Sequence, residues 1–96
     1  MSESTEPKIE NSFMEIMREI GREVALLDAT RTELDKDLKL KSLDLVEQIE
    51  KEADAEQKQL LIKELGRTLA QFDATKSELD RDAKLKALRL IDELQK

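Results

Sequence analysis

The chain has 96 residues with no cysteine and no histidine, and it carries 42% charged residues, 2% aromatic residues and a net charge of −6. The missing residue types exclude disulfides, thiol nucleophiles, the usual Cys/His zinc sites and a Ser-His-Asp triad. Interspersed acids and bases with so few aromatic side chains argue against binding to a nucleic-acid backbone. Two glycines and one proline are too few for the turns of a β-fold, so the composition predicts helices.

The first ten residues, MSESTEPKIE, are polar and acidic, without the basic and apolar regions of a secretory signal. We predict a flexible acidic tail over residues 1–10, followed by a single helical domain over residues 11–96. The longest apolar run is four residues, from Val24 to Leu27, which is too short to cross a bilayer. The sequence therefore predicts a cytoplasmic protein that does not bind a membrane.

The apolar residues follow a helical period along most of the chain. The first stripe begins next to Ser12 and Glu15, which match the S-x-x-E capping box of a helix start. We place each residue 100° further round one continuous helix and compare the directions of the apolar stripes on the two sides of a segment. These directions differ by only about 15° across the segment DAT at 28–30, and by about 20° across the second DAT at 73–75. Across residues 53–56 the phase shifts by roughly 160°. The chain is therefore predicted to turn near 53–56.

These phases predict an all-α fold of two long helices, over about 12–52 and 55–95, in an antiparallel hairpin. Two such hairpins would dimerise into a four-helix bundle. The alternative is a monomeric four-helix bundle with turns at 28–30 and 73–75. A capping-box pattern at each DAT segment favours this alternative.

The chain also contains an internal repeat. Residues 16–51 align with residues 61–96 without a gap, and 17 of the 36 positions are identical. The offset of 45 residues lies in the range of two-helix repeats. The first copy reads DATRTELD where the second reads DATKSELD, and such conservative differences indicate an internal duplication.

In the long hairpin the two DAT segments would lie opposite each other. They would form a polar layer that fixes the register of the helices, because slipped registers would oppose charges to leucines. The residues of this predicted layer are Asp28, Arg31, Asp35, Asp73, Lys76 and Asp80. An alternative interpretation is a site for calcium or magnesium, which prefer oxygen ligands. It would add the neighbouring carboxylates Glu33, Asp37, Glu78 and Asp82. The calcium-loop pattern D-x-D-x-D-G is missing, and we predict no resident metal, no cofactor and no catalytic residue.

Leucines outside the apolar stripe predict where a partner would bind. They occur as the pair Leu40 and Leu43 and, 45 residues later, as the pair Leu85 and Leu88. Matched leucines on the outer side of two helices suggest a homodimer interface or a docking site for an amphipathic helix of another protein. In a compact monomeric bundle they would instead widen the core.

Two glycines interrupt the helical pattern, where each costs roughly 1 kcal/mol against alanine. In the hairpin Gly21 would lie near Ala87, and Gly66 near Ser42. Small residues facing each other predict a close approach of the two helices.

The sequence therefore predicts a non-catalytic helical module for protein–protein interaction. It would serve as a scaffold, an adaptor or a chaperone-like protein that acts through apolar helix faces and self-association. The alternative function is that of an acidic-cluster protein that binds a divalent cation.

Overall fold

The computed structural model describes the backbone of residues 5–95 and the side chains of residues 12–95. This part of the chain forms helices and no strand. The helices are α1 Thr5–Leu26, α2 Glu33–Lys51, α3 Ala55–Gln71 and α4 Glu78–Gln95. The all-α prediction is confirmed, and so is the turn predicted near residues 53–56. The predicted tail over residues 1–10 lies outside the residues whose side chains are described, and α1 begins at Thr5 rather than at Ser12.

The four helices pack as a bundle in which each helix contacts two others. α1 packs against α2 and α4, and α3 likewise packs against α2 and α4. An ion pair of 3.0 Å between Lys86 Nζ and Glu19 Oε2 joins α4 to α1. Its counterpart, a pair of 2.9 Å between Lys41 Nζ and Glu64 Oε2, joins α2 to α3. Each residue of one pair lies 45 positions from its equivalent in the other, so the two halves of the chain pack in the same way.

The core lies where the inward faces of the four helices meet. It consists of aliphatic side chains and one phenylalanine, and burial of each large side chain contributes about 1.5–3 kcal/mol. Its fully buried members include Met17, Ile20, Val24, Ile49, Ile62, Leu65 and Phe72. Every helix supplies part of this core, since α4 adds Ala83, Ala87 and Ile91.

The prediction of two long helices over 12–52 and 55–95 is wrong, because the chain leaves the helix at each DAT segment. The four-helix alternative with turns at 28–30 and 73–75 agrees with the structure. The bundle is 48 Å long, shorter than the 60 Å or so of a 40-residue helix. The apolar phase did not reveal these breaks because each DAT connection leaves the apolar residues on its two sides within about 20° of one another at 100° per residue. The apolar pattern across each break therefore matches that of an unbroken helix.

The break after α1 has a cause in its own residues. Leu27 and Ala29 are both buried, and this spacing of two residues suits an extended segment rather than a helix. Between them, Asp28 Oδ1 accepts hydrogen bonds from the backbone N–H and the hydroxyl of Thr30, at 3.0 and 2.6 Å. Such an Asx turn stabilises a non-helical backbone. The DAT segment therefore ends α1.

The next helix starts two residues later than the capping pattern at Thr30 predicted. Thr32 is the N-cap of α2, and its hydroxyl accepts a hydrogen bond of 3.0 Å from the backbone N–H of Asp35. At the second break, Ser77 accepts from the N–H of Asp80 at 3.1 Å. N-caps of this kind typically stabilise a helix by about 1 kcal/mol.

A lysine from each following helix binds the end of the preceding one. Lys39 Nζ donates to the carbonyl oxygens of Ala25 and Leu27, at 3.0 and 2.8 Å. Lys84 Nζ does the same for Ala70 and Phe72, at 3.0 and 2.6 Å. The last carbonyls of a helix have no partner within the helix, and a cation there also complements the helix dipole. The sequence repeat is thus matched by a repeat of the turn geometry.

Ser42 is completely buried in α2, and its Oγ has no hydrogen-bond partner among the described residues. Its equivalent in the second half is Ala87, which is equally buried. An unpaired buried hydroxyl costs about 1–3 kcal/mol. We therefore expect Ser42→Ala to raise the free energy of unfolding by about 1 kcal/mol, and the reciprocal Ala87→Ser to lower it. Urea denaturation measures both changes, and a loss of stability in Ser42→Ala would show that the hydroxyl is hydrogen-bonded in solution.

Candidate interaction faces

The predicted interface leucines lie on the outer sides of α2 and α4. Leu40 and Leu85 are 58% and 50% exposed, whereas Leu43 and Leu88 are partly buried and pack against the edge of the core. Each pair therefore consists of one leucine in solvent and one, a turn further along, that joins the surface to the core.

Charged residues surround both leucine pairs at equivalent positions. We define the α2 face by the residues Lys36, Asp37, Leu40, Leu43, Asp44 and Glu47. We define the α4 face by their equivalents Arg81, Asp82, Leu85, Leu88, Arg89 and Asp92. All the charged members of both faces are exposed. The two faces thus share an apolar centre with a charged rim, the composition that protein interfaces commonly show.

Leu34 and Leu79 follow the apolar period of the sequence, which predicts an inward position for both. They are 61% and 59% exposed. Both lie in the first turn of their helix, immediately after the N-caps Thr32 and Ser77. The T-x-x-D and S-x-x-D patterns at these caps were the signal that could have placed them outside the core.

The residues of the predicted polar layer lie at helix ends rather than in the middle of helices. Arg31 and Lys76 are partly exposed, and each forms an ion pair with the aspartate of its own turn, at 3.8 and 3.7 Å. Asp35 and Asp80 are buried at the starts of α2 and α4. Asp80 Oδ1 accepts a hydrogen bond of 3.1 Å from the backbone N–H of Asp28 and so joins the two halves. Its role in setting the register stays a prediction.

The structure shows which side chains lie nearest to the two glycines. A Cβ added at Gly21 would lie 3.7 Å from Val46 Cγ1, and one at Gly66 would lie 3.6 Å from Ile91 Cγ2. These are ordinary van der Waals distances to the neighbouring helix of the same half. The structure thus leaves room for a methyl group at both positions, and the predicted proximity to Ala87 and Ser42 stays untested.

The hydrogen bonds in the turns shift the acidity of their aspartates. The hydroxyl and backbone N–H of Thr30 stabilise the charged form of Asp28 and lower its pKa, and Arg31 adds to this effect. Thr75 lowers the pKa of Asp73 in the same way. Both carboxylates therefore stabilise the fold more when they are ionised than when they are protonated.

This shift predicts a loss of stability in acid. An aspartate with a lowered pKa in the folded state contributes stability above its unfolded pKa of about 4 and loses it as the pH falls through the folded value. We expect the double variant Asp28→Asn, Asp73→Asn to keep the turns, because an amide oxygen also accepts these hydrogen bonds. Its melting temperature should depend less on pH between about 4.5 and 2.5 than that of the parent chain.

Melting curves at several pH values measure the difference. The variant Asp37→Asn, Asp82→Asn controls for the change in net charge, because these carboxylates lie outside the turns. The prediction would be contradicted if the melting temperatures of the parent chain and of the turn variant changed equally with pH.

Two ion-pair clusters join the helices of different halves. Lys86 on α4 lies between Glu19 and Glu23 of α1, at 3.0 and 3.3 Å, and these carboxylates raise its pKa. Lys41 on α2 pairs with Glu64 of α3 and lowers the pKa of that carboxyl. The lysines flank Leu85 and Leu40 in sequence but are bound to the adjacent helix. They are therefore part of the bundle rather than of the outer faces.

The acidic residues do not converge. In the part of the chain that the structure describes, no three carboxylates are placed so that they could hold a metal ion together. None of the described helices has the length and apolar character needed to span a bilayer. Comparisons of the chain with protein-family models, with curated proteins and with solved structures found no match. The α2 face and the α4 face each combine an exposed leucine with a leucine that packs against the core.

Proposed function

We propose that this chain is a non-catalytic helical module for protein–protein interaction, a scaffold, adaptor or chaperone-like protein that acts through the α2 face and the α4 face. The observation that carries the proposal is the pair Leu40 and Leu85. Both are at least half exposed, and they occupy equivalent positions in the two halves of the chain.

The energetics of these leucines favour a role in binding. Leu40 and Leu85 project from the bundle, so the fold gains little from them, and their apolar surface remains in contact with water. Burial against a partner would gain up to about 1.5–3 kcal/mol for each. The partly buried Leu43 and Leu88 give each site a rigid base, because they pack against the core. A rigid apolar centre with a charged rim suits an amphipathic helix of a partner.

Site-specific photocrosslinking tests the proposal. A photoreactive phenylalanine analogue is placed at position 40 or at position 85 of the full chain, in cells that produce the protein. We expect adducts of defined mass at one or both positions. The same analogue at Arg18 or Lys63, equivalent positions that are exposed on α1 and α3 outside the two faces, serves as the control.

The yield of the adduct from position 40 should also depend on the charged residues of the α2 face. Glu47→Lys changes the rim of the α2 face and should reduce the yield, whereas the same change at Glu56, which is exposed on α3 outside both faces, should not. Crosslinking no stronger at positions 40 and 85 than at 18 and 63 would overturn the proposed function. The variants Leu40→Gln and Leu85→Gln should stay within about 0.5 kcal/mol of the parent stability, as expected for exposed side chains.

A further inference from the structure

The α2 face and the α4 face differ in the sign of one charge. Lys36 and Arg81, Asp37 and Asp82, and Glu47 and Asp92 conserve their sign between the two faces, and the leucines are identical. The exception is Asp44 of the α2 face, whose equivalent on the α4 face is Arg89. This difference decides which face can pair with a copy of itself.

The charged residues and leucines of the α4 face are arranged symmetrically along the helix. Arg81, Leu85, Leu88 and Asp92 fall within an arc of about 60° on the helix surface, at 100° per residue. A cation stands four residues before the first leucine, and an anion stands four residues after the second. When two such helices pack antiparallel about a two-fold axis, Leu85 of each copy faces Leu88 of the other. Arg81 then faces Asp92 of the second copy, and this contact occurs twice.

The rim of the α4 face is complementary as well. Asp82 and Arg89 both lie along the same edge of the contact, outside the arc of the leucines. In a two-fold antiparallel pair, residues on one edge of a helix meet residues on the same edge of its partner. Asp82 therefore approaches Arg89 of the second copy, again twice. The pairs Arg81–Asp92 and Asp82–Arg89 in this arrangement thus both join opposite charges.

The charges of the α2 face are not complementary when two copies of it pack antiparallel. In the equivalent antiparallel arrangement Leu40 faces Leu43, and Lys36 faces Glu47 of a second copy. On the edge, however, Asp37 approaches Asp44 of the second copy twice. Like charges placed against each other oppose association. The α2 face is thus poorly suited to pairing with itself.

We propose that the chain forms a symmetric homodimer in which two α4 faces pack antiparallel, with Leu85 and Leu88 at the centre. The proposal rests on the proposed function, since it names the partner of one of the two faces. It leaves both α2 faces of the dimer exposed to another protein. An interface of one helix pair is small, so the dimer forms at micromolar or higher concentration.

Sedimentation equilibrium of the full chain between about 10 µM and 1 mM tests the dimer. We expect the average mass to rise from 11.1 kDa toward twice that value. Arg89→Asp turns both Asp82–Arg89 contacts into contacts between two aspartates. Asp82→Arg turns them into contacts between two arginines. Each variant alone should weaken the dimer by about tenfold or more.

The mixture of these two variants is the sharpest measurement. In a heterodimer of Arg89→Asp with Asp82→Arg, each contact again joins opposite charges. We therefore expect the equimolar mixture to recover dimerisation close to the parent level. Leu85→Glu should abolish the dimer, and the matched control Leu40→Glu should leave it unchanged. Circular dichroism verifies that all variants keep their helices.

The possible failures are distinguishable. A parent chain that stays monomeric up to 1 mM would overturn the homodimer but not the binding of other proteins at the two faces. A dimer that Leu40→Glu disrupts and Leu85→Glu does not would overturn the α4 pairing and support the proposed function. A dimer that resists changes in both faces, as expected if chains exchange halves, would overturn this inference as well.

Discussion

Phe72→Ala is expected to lower the free energy of unfolding by about 3–5 kcal/mol, a large fraction of the stability of a domain of this size. Phe72 is the largest of the fully buried side chains, with 1% of its surface exposed. It is also the residue at which α3 ends. The substitution removes a core side chain and leaves a cavity at the point where the chain must change direction. Both the transfer of apolar surface and the cavity contribute to the loss.

Two further substitutions show whether position and burial explain the effect. Leu27→Ala changes the equivalent residue at the end of α1, which is equally buried, and should cost about 2–5 kcal/mol. Leu26→Ala changes the preceding leucine, which is 51% exposed, and should change stability by no more than about 0.5 kcal/mol. Urea denaturation gives all three values. A cost for Phe72→Ala as small as that for Leu26→Ala would mean that this turn is not anchored in the core.

Lys84→Met is expected to lower the free energy of unfolding by about 1.5–3 kcal/mol, the usual range for hydrogen bonds to a charged group. Methionine keeps much of the aliphatic length but cannot donate. The carbonyl oxygens of Ala70 and Phe72 would then lose the ammonium group that binds both of them. The favourable interaction of this cation with the end of α3 would disappear as well.

Lys36→Met is the matched control for this change. Lys36 is exposed, and its ion pair with Glu33 has a separation of 4.0 Å. Its replacement should therefore stay within about 0.5 kcal/mol of the parent. The double variant Lys39→Met, Lys84→Met should show nearly additive losses if the two turns act independently. Equal stabilities of Lys84→Met and Lys36→Met would contradict a capping role for Lys84.

The sequence allowed the helical class, the turn before α3 and most of the core to be predicted, because the apolar period is a strong signal. The inward positions of Met17, Ile20 and Val24 followed from that period. The breaks at the DAT segments did not, since the apolar phase is nearly the same on both sides of each of them. Their evidence was in short polar contacts, such as that of Asp28 with Thr30, which periodicity does not register.

The interaction faces could be predicted only in part. In a compact bundle the off-stripe leucines were expected to widen the core, and Leu43 and Leu88 do pack against it, but Leu40 and Leu85 are exposed. The exposure of Leu34 and Leu79 depended on where the helices begin, which was misplaced by two residues. The difference between Asp44 and Arg89 is visible in the sequence. It becomes relevant to binding because the structure places both residues exposed beside the leucines.

The packing of the first helix on the last closes the bundle into a ring, and this makes the order of its halves interchangeable. The contact of Glu19 with Lys86 between α1 and α4 has the same form as the contact of Glu64 with Lys41 between α3 and α2. Residues 52–54 connect α2 to α3, and α4 packs against α1 as α2 packs against α3, so a linker from α4 back to α1 would join an equivalent pair of helices. A circular permutant that begins at residue 55 and ends at residue 51 would therefore retain every helix neighbour. Its halves would simply be synthesised in the opposite order.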